Sequence, residues 1–217
     1  MRKALLIFVF SIFYFPVFSQ IHPKIYTGLQ GFYNKAYENN LYGSFEVGAE
    51  LLKYKFLAPE IGVKYFGGSP NELETLDFET NPPRGIAKFD SRFKAFIFSI
   101  GPKMIFGNEE AALVFLPEYN FGNLRAYKRF FSPDGDLYSL SESIDASESV
   151  NFWNFSAGIQ GDFFDLDNIT FSLLVTYSTL DTEQAFKDLQ FQNTSENYNA
   201  GSKDGIGLTL RAYFDIF

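Results

Sequence analysis

Residues 153–163 read WNFSAGIQGDF, and their side chains alternate between two characters. The odd positions from Trp153 to Phe163 are apolar or small, whereas the even positions are Asn154, Ser156, Gly158, Gln160 and Asp162. A period of two is the repeat of a β-strand, in which successive side chains point to opposite faces. We therefore predict a strand here with one apolar and one polar face.

The same alternation recurs along the chain. It is clear again at 169–178 and 206–216 and less regular before residue 122. Phe and Tyr, which favour strands, occur 28 and 13 times. Together these patterns predict eight strands, at 24–33, 41–53, 58–67, 89–105, 111–122, 149–163, 168–179 and 205–217.

The predicted connections alternate between short and long. Tight turns are expected at 53–57, 107–110 and 164–168, and the other end of the sheet receives a shorter loop at 34–40. Long loops are expected there at 67–88, 123–148 and 180–204, although a hairpin within either of the first two would raise the strand count to ten. This order is typical of a membrane barrel with both termini in the periplasm.

The first nineteen residues have the features of a signal peptide. Arg2 and Lys3 are followed by an apolar run from residue 4 to 15 and by the small residue Ser19. The run is shorter than the roughly 20 residues of a spanning helix, and Pro16 interrupts it. We predict a signal peptide at 1–19 and one barrel domain at 20–217.

Periodicity alone does not show which face of a barrel contacts water, so we compare the side chains on the two faces. The polar face combines charged residues with Gly48, Gly62, Gly158 and Gly207, which suit a narrow interior. The apolar face carries aromatic residues near strand ends, where interfacial girdles lie in membrane barrels. These features predict an all-β fold, a closed antiparallel up-and-down transmembrane β-barrel of about eight strands.

Charges of both signs on the polar face predict an ion-pair network in the lumen, because an unpaired buried charge costs several kcal/mol. The candidate members are Glu60, Glu118, Lys64, Arg92, Lys94 and Arg211. Two interpretations of Glu60 and Glu118 remain open. They are either structural partners of the cations or a carboxylate pair that handles protons or cations.

Composition argues against several classes of function. With 18 Lys and Arg against 26 Asp and Glu, the formal charge is −8, which disfavours nucleic acid as a partner. The chain has no Cys, and its one His, His22, lies just after the predicted cleavage point. We therefore predict no catalytic residues, no cofactor and no metal site.

The whole mature chain resembles the small eight-stranded outer-membrane proteins of the OmpX, OmpW and OmpA-barrel type and, more loosely, the PorT-like barrels. The alternation, the loop asymmetry and the ending LTLRAYFDIF at 208–217 carry this resemblance. It implies a Gram-negative source and an outer-membrane location. It also implies contacts with membrane lipid and lipopolysaccharide, and recognition of Phe217 by the barrel-assembly machinery.

Eight strands leave an interior that side chains fill, which argues against a general diffusion pore. We expect a non-enzymatic protein with a structural or interaction role, in which the barrel is an anchor and the long extracellular loops form the binding surface. The alternatives are a narrow transporter of a small solute, a membrane-embedded lipid enzyme and a soluble periplasmic ligand-binding barrel.

Overall fold

The computed structural model describes residues 23–34, 41–79, 84–108, 110–135, 137–163, 166, 168–194 and 201–216. The predicted signal peptide, His22 and Phe217 lie outside these ranges.

The described residues form eight strands and one short helix. The strands are β1 (Lys24–Tyr33), β2 (Leu41–Glu50), β3 (Leu57–Asp77), β4 (Arg84–Gly107), β5 (Ala112–Asp134), β6 (Leu137–Gly161), β7 (Ile169–Asp181) and β8 (Lys203–Asp215). The helix, α1, covers Glu183–Lys187. No helix within the described ranges is long and apolar enough to cross a membrane.

The strands form a closed barrel in chain order. Each strand pairs antiparallel with the next, and β1 closes the ring by pairing with β8 from Lys24↔Asp215 to Tyr33↔Ile206. This arrangement confirms the predicted all-β, closed up-and-down topology with eight strands.

In the half of the barrel nearer the termini, the two faces of the strands are sorted as predicted. Outward residues such as Leu29, Leu113 and Leu208 are 62%, 64% and 59% exposed, whereas the inward Arg211 is fully buried. Water-soluble sheets place the apolar face inside and the polar face outside. This half of the barrel has the opposite arrangement, with apolar residues outside and charged residues inside.

Two of the predicted loops are wrong, because the segments 67–88 and 123–148 are mainly strand. The strands β3, β4, β5 and β6 are 21, 24, 23 and 25 residues long, and they continue beyond the barrel as two hairpins. The second hairpin pairs down to Asp134↔Leu137. Gly135 turns there with a φ of 65°, a left-handed conformation that glycine adopts without strain. The strand count remains eight because these hairpins extend existing strands.

The four long strands form an extended sheet beyond the end of the barrel that lies opposite the termini. We use this name for residues 69–77, 84–94, 123–134 and 137–153. The ladder between β2 and β3 ends at Tyr42↔Gly68, and that between β6 and β7 reaches only to Asn154↔Ser178. Within the described residues, both outer edges of the extended sheet therefore lack a paired strand.

The predicted loop at 180–204 folds over the same end of the barrel. Thr182 and Ser202 hold its two sides together through a backbone hydrogen bond of 2.9 Å and through the Thr182 hydroxyl. Between them, α1 and the following turn bury Phe186, Leu189 and Phe191. This connection therefore covers the barrel mouth.

Trypsin tests the strand assignment of 123–148. We expect Arg125, Lys128 and Arg129 to resist cleavage in the folded protein, because a strand paired on both sides does not fit a protease active site. Mass spectrometry of the digest identifies the cut sites, and boiled protein is the control. Rapid cleavage at these three residues in the folded protein would show that the segment is a mobile loop.

Candidate functional site

Seven charged side chains meet in the half of the barrel nearer the termini. They come from inward positions of five strands and are at most 1% exposed. We call them the charge cluster: Glu46 and Glu50 of β2, Glu60 and Lys64 of β3, Lys103 of β4, Glu118 of β5 and Arg211 of β8.

Arg211 is the centre of the charge cluster. Its Nε and Nη2 donate to the two carboxylate oxygens of Glu46 at 2.5 and 2.9 Å. Its Nη1 donates to Glu60 Oε2 at 2.7 Å, and Nη2 also donates to Glu118 Oε1 at 2.9 Å. The planar guanidinium thus joins three carboxylates, a geometry that a lysine ammonium does not reproduce.

Two lysines complete the network. Lys64 Nζ lies 3.0 Å from Glu118 Oε2 and 3.3 Å from Glu46 Oε2, which closes a ring through Arg211. Lys103 Nζ lies 2.8 Å from Glu60 Oε1 and forms a second ion pair with Glu50. Every carboxylate of the cluster therefore contacts at least one cation.

Neutral groups surround the cluster and add to its stability. Its four carboxylates outnumber its three cations by one, and Gln30 Nε2 donates to Glu46 Oε2 at 3.2 Å. Lys103 Nζ lies 3.7 Å from the ring centroid of Tyr213, and Arg211 Cζ lies 4.7 Å from that of Tyr26. Contacts of cations with aromatic faces are favourable when the cation is shielded from water.

Inward glycines make room for these long side chains. A Cβ atom at Gly28 would lie 2.6 Å from Glu46 Oε1 and 2.9 Å from Arg211 Cγ. A Cβ atom at Gly62 would collide with the Tyr26 hydroxyl. The position of Gly62 agrees with the prediction that glycines of the polar face lie in a crowded interior.

Small polar residues occupy the remaining side of the lumen. Thr176 Oγ1 lies 2.8 Å from Ser156 Oγ and 2.7 Å from Thr209 Oγ1, and Ser172 donates to Gln160 Oε1 at 3.1 Å. These residues come from β6, β7 and β8, whose alternation is clearest in the sequence.

An aromatic plug fills the barrel on the side of the charge cluster that faces away from the termini. We use this name for a buried group in the half of the barrel away from the termini and at the base of the extended sheet, which includes Phe32, Tyr42, Phe66, Phe93, Leu124 and Phe152 and, from the covering connection, Phe186 and Leu189. Phe32 stacks on Tyr42 with ring centroids 4.9 Å apart.

On the other side of the charge cluster, a cavity of about 430 Å³ lies near the termini. It is lined by Lys24, Glu50, Lys53, Asp162 and Asp215, among others. The charge cluster and the plug thus separate this cavity from the opposite end.

The structure brings together four of the six predicted network residues, namely Glu60, Lys64, Glu118 and Arg211. Arg92 and Lys94 are not part of the cluster, and this part of the prediction is corrected. On β4 the odd positions Phe93, Ala95 and Ile97 point inward to the aromatic plug, so that Arg92 and Lys94 point outward. Polarity misassigned this region because apolar residues fill the lumen there.

Sequence reasoning missed Lys103 as a member of the network. Lys103 shares its parity with Ser99 and Gly101, two small residues that suit a lumen, and this signal could have identified it. Glu46 and Glu50 share the parity of Gly48 on the polar face of β2, but sequence reasoning did not include them in the network. No pattern within one strand shows which of the lumenal charges come into contact.

The geometry favours the structural interpretation of Glu60 and Glu118. Both carboxylates are buried and bind Arg211, while Lys103 and Lys64 engage their other oxygens. A pair arranged in this way holds strands together and has little freedom to bind a further cation.

Comparisons with known proteins give matches of structure only. No family model matches the sequence, and no curated protein matches it.

Several solved structures match most of the chain at low identity. Ail, the attachment invasion locus protein of Yersinia pestis, has a TM-score of 0.42 and 14% identity, with 88% of this chain and 95% of that chain covered. Neisserial surface protein A has a TM-score of 0.45 and 9% identity, with 89% and 97% covered. The N-terminal β-barrel domain of Pseudomonas aeruginosa OprF has a TM-score of 0.36 and 12% identity, with 88% and 97% covered. The closed ring of eight antiparallel strands has the architecture that the resemblance to small barrels predicts.

Replacing Arg211 by Met tests the importance of the charge cluster. The substitution leaves Glu46, Glu60 and Glu118 without their shared cation, and we expect a loss of about 3–5 kcal/mol in the free energy of unfolding. Urea unfolding in detergent micelles, followed by the fluorescence of Trp153, measures it. Arg211→Lys keeps the positive charge but loses the paired hydrogen bonds of the guanidinium. Its free energy of unfolding should therefore lie between those of the wild type and Arg211→Met.

The matched control is Lys24→Met. Lys24 Nζ pairs with Asp215 at 3.0 Å, but their side chains are 21% and 29% exposed, and we expect a loss of no more than about 1 kcal/mol. Equal losses for Arg211→Met and Lys24→Met would show that the buried cluster does not stabilise the barrel.

Proposed function

We propose that this chain is a non-enzymatic outer-membrane protein whose barrel is a closed anchor and whose extended sheet is the binding surface. One observation carries the proposal: a band of outward apolar residues surrounds an interior of fully buried charges. In water such a band would be an unusually large exposed apolar surface. In a bilayer the same band faces acyl chains.

The height of the apolar band supports a membrane location. On β4 it extends from Phe106 to Phe96 through Met104, Ile100 and Phe98. A ten-residue separation at about 3.3 Å per residue, with the strands tilted by about 40°, corresponds to a height of about 25 Å. This height equals that of the apolar band of bacterial outer-membrane barrels.

The filled lumen supports an anchor rather than a transporter. A solute entering from the cavity near the termini would meet the charge cluster first and the aromatic plug next. Opening a path would separate buried ion pairs, which costs several kcal/mol for each unpaired charge.

The extended sheet supports a role in binding. It replaces two of the loops expected from the sequence with a surface of paired strands, and such a surface loses less conformational entropy on binding than a flexible loop. Its β6 edge presents exposed Ser139, Ser143 and Ser147, with Asp145 between the last two. A polar, pre-formed surface of this kind suits an extracellular partner.

Arginine substitutions at two depths test the membrane location. Leu210 lies at the middle of the band, where Arg should cost about 2–4 kcal/mol in folding free energy, whereas Ile206→Arg near its edge should cost at most about 1 kcal/mol. Both positions point outward and are about half exposed. Unfolding in lipid vesicles measures the difference.

Fractionation of cells that express the protein accompanies this test. We expect the chain in the outer-membrane fraction and a gel mobility that changes on boiling. A soluble periplasmic protein, or equal costs for the two arginine variants, would contradict the membrane location.

Recordings in planar bilayers test the closed lumen. We expect no conductance steps from the wild-type protein and none from a variant in which residues 183–191 are replaced by a Gly-Ser segment of equal length. In that variant the charge cluster still fills the half of the lumen nearer the termini. Steady ion conductance by the wild-type protein would favour the narrow transporter instead.

A further inference from the structure

Four basic side chains lie together on the outer face of β4 and β5, where the extended sheet leaves the barrel. They are Arg92 and Lys94 of β4 and Arg125 and Arg129 of β5. The strand register places Lys94 opposite Arg125, Arg92 opposite Tyr127 and Asp90 opposite Arg129. We call these four basic residues, together with Tyr127, the basic patch.

The basic patch carries an excess of positive charge. Arg92 Nε lies 3.0 Å from Asp90, and Arg125 Nε lies 2.9 Å from Asp145. Lys94 and Arg129 form no ion pair within the described part of the chain. These four cations and their two carboxylate partners sum to a charge of +2, in a chain whose formal charge is −8.

The patch contains a recess that suits an anionic group. A recess of about 120 Å³ is lined by Asp90, Arg92, Lys94, Tyr127 and Arg129. A recess of this volume leaves room for a phosphate group. Guanidinium groups bind phosphate oxygens through paired, charge-assisted hydrogen bonds.

The position of the patch matches the level of lipid headgroups. On β4, Lys94 is the next outward residue after Phe96, which ends the apolar band. On β5, Arg125 follows Phe121 and Asn123 on the outward face. A lipid with its acyl chains against Phe96, Phe98 and Phe121 would therefore hold its headgroup beside the four cations.

The opposite wall of the barrel differs in charge. Beyond the paired Tyr177 and Ile206, the ends of β7 and β8 carry Asp181, Asp204 and Lys203, and Glu183 lies beside them. Lys203 pairs with both Asp181 and Glu183, at 3.2 and 3.4 Å. Within the described residues, the ends of β7 and β8 therefore have no group of outward cations comparable to the basic patch.

We propose that the basic patch binds the phosphate groups of a phosphorylated glycolipid in the outer leaflet, with the acyl chains lying on the apolar band below it. This inference rests on the proposed membrane location. A soluble sulfated polysaccharide offers similar charges, but it has no apolar part to lie against the adjacent aromatic residues. The junction of cations and aromatic residues therefore favours the lipid.

Binding of lipid A to the folded full-length barrel in zwitterionic micelles tests the proposal. We expect diphosphorylated lipid A to bind the wild-type protein and to bind Lys94→Gln/Arg129→Gln at least tenfold more weakly. The affinity should also fall as salt rises, because the contact is ionic. Lys53→Gln/Lys55→Gln, which removes the same charge at the other end of the barrel, is the matched control and should bind as the wild type does.

Three results would overturn the proposal: equal affinity of the wild type and the Lys94→Gln/Arg129→Gln variant, equal affinity for a lipid A analogue without phosphates, or binding of soluble heparin without binding of lipid A. The change of gel mobility on boiling shows separately that each variant forms a barrel. A failure of lipid binding in a folded barrel therefore leaves the membrane location standing.

Discussion

The buried guanidinium of Arg211 is the interaction on which the rest of the barrel depends. It extends from β8, next to the seam where β8 meets β1, and binds carboxylates from β2, β3 and β5. Lys103 brings β4 into the same network. Side chains from strands far apart in the sequence are therefore joined at one point, and the network is complete only when the ring is closed. A partly formed sheet would leave several of these charges unpaired.

The charged interior and the apolar exterior depend on each other. At the level of the charge cluster the lumen has no room for bulk water, so each charge needs a partner from another strand. The outward positions are then left to Phe, Leu, Ile and Val, which cover the outer wall along its whole circumference. The same alternation that separates the two faces also explains why glycine appears at Gly28 and Gly62, where larger inward neighbours need space.

Much of the fold could be predicted from the sequence, because β6, β7 and β8 show a regular alternation and the short turns are well marked. The long strands could not be predicted, since the serine-rich and charged residues of 137–151 have the composition of a loop and become a strand only by pairing with β5. The assignment of Arg92 and Lys94 failed for a related reason. Polarity indicates the lumenal face only around the charge cluster, and in the half of the lumen away from the termini the inward residues Phe93 and Ala95 are the apolar ones. The contacts of Lys103 depend on the register of three strands, which no local pattern contains.

Acidic side chains along the unpaired edge of β6 explain why the extended sheet does not readily add further strands. An open strand edge in water is a template for further strands, and flat apolar edges promote aggregation. This part of β6 instead carries Glu142, Asp145 and Glu148, of which Asp145 is exposed and the other two are half-buried. Charged side chains on an edge strand disfavour pairing with a further strand, so these carboxylates oppose the growth of a continuous sheet between neighbouring barrels.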